Sequence, residues 1–233
     1  MNYKDLQQQA NLIGIEITDD MIQKLKKYHE LLSLWNEKMN LTAITEESEV
    51  IKKHFFDCII PLTMLEDEGR LIDVGSGAGF PGIVFKIVRP NYEITLLEPI
   101  GKRCNFLNEV IKELNLKDIK VINERSEDFA KENREVYDIV TARAVANLNI
   151  LSELCLPLVK VNGVFLAMKG SKGEEEHLEA SKAIETLGAE LVRKYEHDIS
   201  GAGERVNLLY KKIKNTPTKY PRNYSQIKNK PIR

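Results

Sequence analysis

Apolar residues recur along this chain at two different periods, and the change falls near Gly69. Before it, Ile22, Leu25, Tyr28, Leu32 and Trp35 return every three or four positions, which places them on one face of an amphipathic helix. The spacing predicts helices over 3–14 and 19–39, the second opened by Asp19 and Asp20, carboxylates that suit a helix N-terminus. A third helix is predicted over 47–65. The aromatic stripe of the second helix reads as core.

From Arg70 onward short apolar runs alternate with helical stretches. Strands are predicted at 71–74, 94–97, 119–122, 137–141 and 164–168, and helices at 82–88, 102–115, 126–132, 148–159 and 173–187. Such alternation argues a doubly wound parallel sheet. Two more strands, over 189–197 and 206–212, are separated by Ser200-Gly201-Ala202-Gly203. That link is too short for a crossover helix, so a terminal antiparallel pair is expected. The expected fold class is therefore α/β and Rossmann-like, about seven strands behind an N-terminal helical segment. The expected division is a helical segment over 1–68, a cofactor-binding domain over 69–213 and a basic tail over 214–233.

Composition narrows the classes. The 233 residues contain no apolar run near the roughly 20 that a bilayer requires, and the first residues are polar, unlike a signal peptide. A cytosolic protein is expected, with no membrane partner. Cys58, Cys104 and Cys155 are far apart in sequence and form no CxxC pair, so they read as reduced thiols, and no metal site is expected. The net charge of −1 hides a strong polarity, because residues 205–233 hold nine basic residues and no acidic one. A polyanion-binding end is the reading this favours, with Tyr220-Pro221-Arg222 and Tyr224 suited to RNA contact. A solubilising tail is the alternative.

The sharpest local signal is Asp73-Val74-Gly75-Ser76-Gly77-Ala78-Gly79-Phe80-Pro81-Gly82, set between a predicted strand and a predicted helix. Glycines there permit positive φ and close approach of a nucleoside cofactor. On this reading Gly75→Asp places a carboxylate and its Cβ against the ligand and abolishes cofactor binding. A dinucleotide fingerprint would set a third glycine where Phe80 stands and would use helix N–H groups to hold pyrophosphate. Pro81 removes one such donor, so S-adenosylmethionine, which has no phosphate, fits better than NAD. Glu98 closes the second strand and can accept from both ribose hydroxyls. Ser126 and Glu127, after the third strand, are candidates for the adenine, although Ser126 could equally cap the helix it opens.

These residues resemble a known family, the bacterial 16S ribosomal RNA guanine-N7 methyltransferases called RsmG or GidB. The resemblance spans nearly the whole chain. It includes Trp35-Asn36 through Asn40-Leu41-Thr42-Ala43-Ile44, then His54-Phe55-Phe56-Asp57, the Asp73–Gly82 loop, Thr141-Ala142-Arg143-Ala144-Val145 and Lys219-Tyr220-Pro221-Arg222. Two departures are Glu98-Pro99-Ile100, where the family often has Asp or Ser-rich sequence, and Cys58, where it often has Ser. The resemblance implies a class I methyltransferase fold, S-adenosylmethionine as donor, and 16S ribosomal RNA or the small subunit as partner. It also implies that Asp73, Gly75, Gly77, Gly79, Phe80, Glu98, Pro99, Ile100, Ser126, Glu127 and Arg143 surround the cofactor, and that His54 and Asp57 join a polar network at the mouth of the site.

Guanine N7 carries a lone pair and no proton, so its attack on a methyl group needs alignment and no general base. The sequence after the fourth predicted strand agrees. It reads Thr141-Ala142-Arg143-Ala144-Val145-Ala146-Asn147 where methyltransferases acting on exocyclic amines commonly carry Asn/Asp-Pro-Pro-Tyr. Cys155 lies in an apolar helical stretch, not the Pro-Cys or Thr-Cys setting of cytosine C5 chemistry. No residue is assigned as acid or base; Arg143, Lys169, His54 and Asp57 are positioning candidates. Arg143, Lys169, Lys172, Arg205, Lys219 and Arg222 are candidates for RNA. A monomer is expected. Rival readings are a noncatalytic RNA-binding protein, an NAD(P)-dependent reductase and, within the enzyme class, a small-molecule methyltransferase.

Overall fold

Seven strands form one mixed sheet in the order β3-β2-β1-β4-β5-β7-β6, in a computed structural model that describes residues 1–199, 201 and 203–232. The strands are β1 (Gly69–Val74), β2 (Tyr92–Leu97), β3 (Ile119–Ile122), β4 (Tyr137–Arg143), β5 (Val159–Gly170), β6 (Ala189–Ile199) and β7 (Gly203–Lys212). β4 runs parallel to β1 and β5, β2 parallel to β3, and β7 antiparallel to both β5 and β6. The predicted terminal pair is present, with β7 between β5 and β6. Of the link between them, Ser200 and Ala202 lie outside the described residues.

The chain divides into two compact units, and the boundaries differ from the expected ones. One unit holds residues 1–68 and 76–123; the other holds 69–75 and 124 onward. In the first, α1 (Tyr3–Leu12) opens on a capping box between Asn2 and Asp5, and α2 (Asp19–Met39) is capped by the Thr18 hydroxyl, which accepts from the Met21 N–H. The third predicted helix is instead four short pieces: α3 (Glu47–Val50), a π-helical turn (Ile51–Phe56), α4 (Asp57–Ile59) and a 3-10 turn (Ile60–Met64). Pro61, which has no N–H to give to an α-helical bond, sits at the start of the 3-10 turn. α5 (Gly82–Val88), β2, α6 (Gly101–Glu113) and β3 complete the unit. The predicted aromatic face of α2 is core: Tyr28 stacks on Phe55 at 5.7 Å, and Trp35 meets Phe106 of α6 at 5.7 Å.

In the second unit α7 (Ser126–Glu132), α8 (Leu148–Cys155) and α9 (Gly173–Thr186) join β1, β4, β5, β7 and β6. Val140 pairs with Phe165, and Phe165 with Tyr210, so one row of large side chains crosses the sheet. Helix α8 is shorter than predicted because Pro157 lies in a 3-10 turn, Leu156–Leu158, that leads into β5.

The expected basic tail is packed structure. It includes a further helix, α10 (Tyr224–Asn229), capped by the Asn223 side chain. The Arg134 guanidinium donates to the carbonyls of Thr216, Pro217 and Tyr220. The fully buried Lys212 ammonium donates to the Leu156 carbonyl at 2.6 Å and the Thr216 hydroxyl at 2.7 Å, and lies 3.2 Å from a Glu135 carboxylate oxygen. Glu135 precedes β4, and Lys212 ends β7 alongside the start of β5. The segment is therefore anchored where β4 and β5 begin, whereas Arg143 and Gly170 lie where those strands end.

Candidate cofactor and acceptor loops

The first unit organises the glycine loop around a buried carboxylate. Glu98, 1% exposed, accepts from the Gly77 N–H at 2.8 Å through one oxygen and from the Ile100 N–H at 3.0 Å through the other. Gly77 reaches this position with φ of +58°, which glycine adopts without a Cβ penalty. The Arg103 guanidinium lies 3.8 Å from the same carboxylate, and the Glu98 carbonyl accepts from Cys104 Sγ and Asn123 Nδ2. A carboxylate has about four acceptor positions; two hold backbone donors here, and the remaining capacity fits a ribose diol. Pro99 and Ile100 beside it are exposed, an apolar surface against which a nucleoside can pack. The donor set thus fits S-adenosylmethionine.

The N-terminal segment braces the same loop. The Tyr28 hydroxyl donates to the Ala78 carbonyl, and the His54 ring stacks on Phe80 at 4.5 Å. His54 Nε2 shares a hydrogen bond with the Thr42 hydroxyl at 3.0 Å. His54 belongs to the π-helical turn and Asp57, 4% exposed, opens α4, so the two do not lie on one regular α-helix as the helix predicted over 47–65 would have them. The π turn is a feature that sequence reasoning missed, and such turns are frequent at functional sites.

Gly75 and Gly79 have the positive φ expected of them, +71° and +96°, and a second reason besides. A Cβ on Gly75 would lie 2.6 Å from Val145 Cγ2, and one on Gly79 would lie 2.6 Å from Ile83 and 2.7 Å from the Tyr28 hydroxyl. Both positions are closed by the protein's own side chains. Gly75→Asp would therefore strike Val145, which corrects the expectation that its carboxylate first meets the ligand.

In the second unit Asp73 and Thr141 are register partners at the ends of β1 and β4 and are fully buried. The Thr141 hydroxyl makes no hydrogen bond among the described residues, so a polar group is held at a strand end where α/β sheets receive ligands. Arg143 closes β4 opposite Met168. Glu127 is buried. Ser126 does not cap the helix it opens: no side chain caps α7, and the Ser126 hydroxyl donates to the Leu154 carbonyl of α8 at 2.6 Å.

Comparison with known proteins decides the family. A profile described as rRNA small subunit methyltransferase G matches residues 21–205. The chain belongs to the rRNA small subunit methyltransferase G family. A ribosomal RNA small subunit methyltransferase G from Clostridium perfringens strain 13 is 47% identical over 239 positions, covering 100% of both chains. One from Clostridium botulinum strain Eklund 17B is 46% identical over the same span. Among solved structures, TYW2 of M. jannaschii in complex with AdoMet aligns with a TM-score of 0.56 at 18% identity, covering 73% of this chain and 80% of that one. That likeness concerns the fold, which is the class I S-adenosylmethionine-dependent methyltransferase fold.

For a member of the methyltransferase G family the RNA candidates sort in an unexpected way. Arg222 is committed to Glu153 of α8, a carboxylate with no exposure, through its backbone N–H at 2.8 Å, Nε at 2.9 Å and Nη2 at 2.6 Å. This ion pair holds the Arg222 guanidinium above its usual range. Lys169 is also turned inward, 2.6 Å from the Glu176 carboxylate. Each of these two RNA candidates is thus engaged by a carboxylate within the fold, and Arg222 is tied the more firmly, because its partner Glu153 is fully buried. Lys172 is exposed at the start of α9, Arg205 donates to the Glu204 carbonyl at 3.1 Å, and the Lys219 ammonium lies over the Tyr220 ring. All three cysteines are buried thiols. Burial pushes Cys155 far up and Cys104 upward, so neither is an activated nucleophile. Among the described residues there is no group of three or more metal-ligating side chains, and no helix is long and apolar enough to cross a membrane.

Proposed function

We propose that this protein transfers the methyl group of S-adenosylmethionine to N7 of a specific guanine in 16S ribosomal RNA by direct in-line attack, without a general base. Membership of the small subunit rRNA methyltransferase G family supports the donor and the acceptor RNA. The observation that carries the choice of atom is the loop after β4. Between Arg143 and α8 it offers Ala144, Val145, Ala146 and Asn147, with neither carboxylate nor imidazole to take a proton. An exocyclic amine must lose a proton on methylation, whereas N7 has none to lose.

The cofactor supplies an electrophilic methyl carbon on a sulfonium. Glu98, oriented by the Gly77 and Ile100 amides, would hold the ribose, and Ile100 would cover the apolar side of the nucleoside. Arg143 offers a guanidinium for O6, a phosphate or the cofactor, since N7 itself must remain open to react. Catalysis then consists of alignment, which is a large term by itself. The test is transfer of labelled methyl to small-subunit rRNA from cells lacking this protein, followed by chemical cleavage at N7-methylguanine. One labelled guanine is expected. Label recovered in an exocyclic amine or a base carbon would overturn the assignment.

A further inference from the structure

The loop Ala144–Asn147 is held in an unusual conformation by groups that the reaction does not itself require. Ala144 has φ of +57°, a left-handed conformation that costs an L-residue energy and persists only where the surroundings impose it. Val145 lies over Gly75. The Ala146 carbonyl accepts from Lys169 Nζ of β5 at 2.8 Å. Asn147 stands at the N-cap of α8 with extended backbone, the residue type and geometry that normally cap a helix, yet its side chain makes no capping bond. A side chain of another helix meets the first N–H of α8: Glu176 of α9 accepts from the Leu148 N–H at 2.8 Å. The same Glu176 oxygen lies 2.6 Å from Lys169 Nζ. Side-chain exposures of 8% for Lys169 and 18% for Glu176 shield the pair, which makes it stiffer and less screened than a surface ion pair.

We propose that Glu176 and Lys169 are positioning residues for methyl transfer. Lys169 fixes the loop through the Ala146 carbonyl, and Glu176 caps α8 from outside. The Asn147 side chain is exposed and makes no capping bond, so it is available to the acceptor RNA. A carboxylate at a helix N-terminus also suits the helix dipole, so the brace is favourable by itself. The proposal deepens the functional reading above and depends on it for its kinetic arm only.

The experiment compares Glu176→Ala, Glu176→Gln and Lys169→Met with Glu174→Ala, whose carboxylate lies on the same helix and pairs with Lys194 instead. Methyl transfer to rRNA gives kcat and KM, titration gives the Kd for S-adenosylmethionine, and hydrogen exchange reads the Leu148 amide. For Glu176→Ala, kcat is expected to fall about ten- to hundredfold, the scale of a misplacement near 1 Å. Cofactor Kd should stay within about twofold, and Leu148 should exchange faster. Glu176→Gln keeps an acceptor oxygen and should recover most of kcat; Glu174→Ala should match wild type. If Glu176→Ala does not fold, Lys169→Met decides, with the same fall in kcat expected. Unchanged kcat in the folded variants, or an equal loss in Glu174→Ala, overturns the proposal. Leu148 exchange is read without RNA. Faster exchange in Glu176→Ala supports the brace and unchanged exchange overturns it, even if wild-type protein transfers no methyl, which would count against the functional reading alone.

Discussion

At the scale of single residues, the site is built by backbone groups that only certain side chains permit. Glu98 shows this most sharply, because its two oxygens each accept from a different backbone N–H. Glu98→Gln is therefore not conservative: its amide NH2 must face one of those donors. Leaving a buried donor unmatched costs about 1–3 kcal/mol. The variant should lose at least about tenfold in S-adenosylmethionine affinity by calorimetric titration, since a lost hydrogen bond to a charged group is worth ~1.5–3 kcal/mol. Gly79→Ala meets both a φ of +96° and two contacts below 3 Å. Its unfolding free energy in denaturant should drop by about 1–3 kcal/mol. Ala144→Gly removes the cost of a left-handed L-residue, and a gain of up to about 1 kcal/mol is expected in the same assay.

At the scale of elements, α8 is the junction of the second unit. Its N-terminus is capped by Glu176, its Leu154 carbonyl accepts from Ser126, and its Glu153 carboxylate binds Arg222. The last of these ties the C-terminal segment to the helix that follows the loop after β4. Arg222→Ala strands a carboxylate that has no exposure to water. Removing one partner of a buried pair costs about 3–5 kcal/mol, which thermal or denaturant unfolding should report. Arg222→Lys should recover only part of this, because an ammonium cannot reproduce the guanidinium fork.

At the scale of the whole molecule, the positive C-terminal stretch serves first as structure. Burial pushes the Lys212 ammonium down to about 8 from 10.5, against the pull of Glu135. Below about pH 8 both folded and unfolded chains carry the charge, and the cost of burying it is fully present. Between about pH 8 and 10.5 the unfolded chain holds a proton that the folded chain has released, so stability gains from this group as pH rises. Relative to Lys212→Met, the native chain should gain ~3 kcal/mol across that window, at about 1.4 kcal/mol per unit; a flat difference would contradict it. The α/β alternation, the terminal antiparallel pair and the places of the glycine loop and Glu98 at strand ends were legible in the sequence, because period, turn chemistry and strand-end position are local properties. Charge could be counted along the chain but not assigned a partner. Arg222 and Lys169 read as RNA ligands, and only the fold shows Glu153 and Glu176 beside them, 69 and seven residues away in sequence. The neighbours of Gly75 and Gly79, the external cap on α8 and the π turn around His54 were likewise decided only by tertiary structure. Each is a contact between segments distant in sequence or a departure from regular helix geometry that local patterning does not encode.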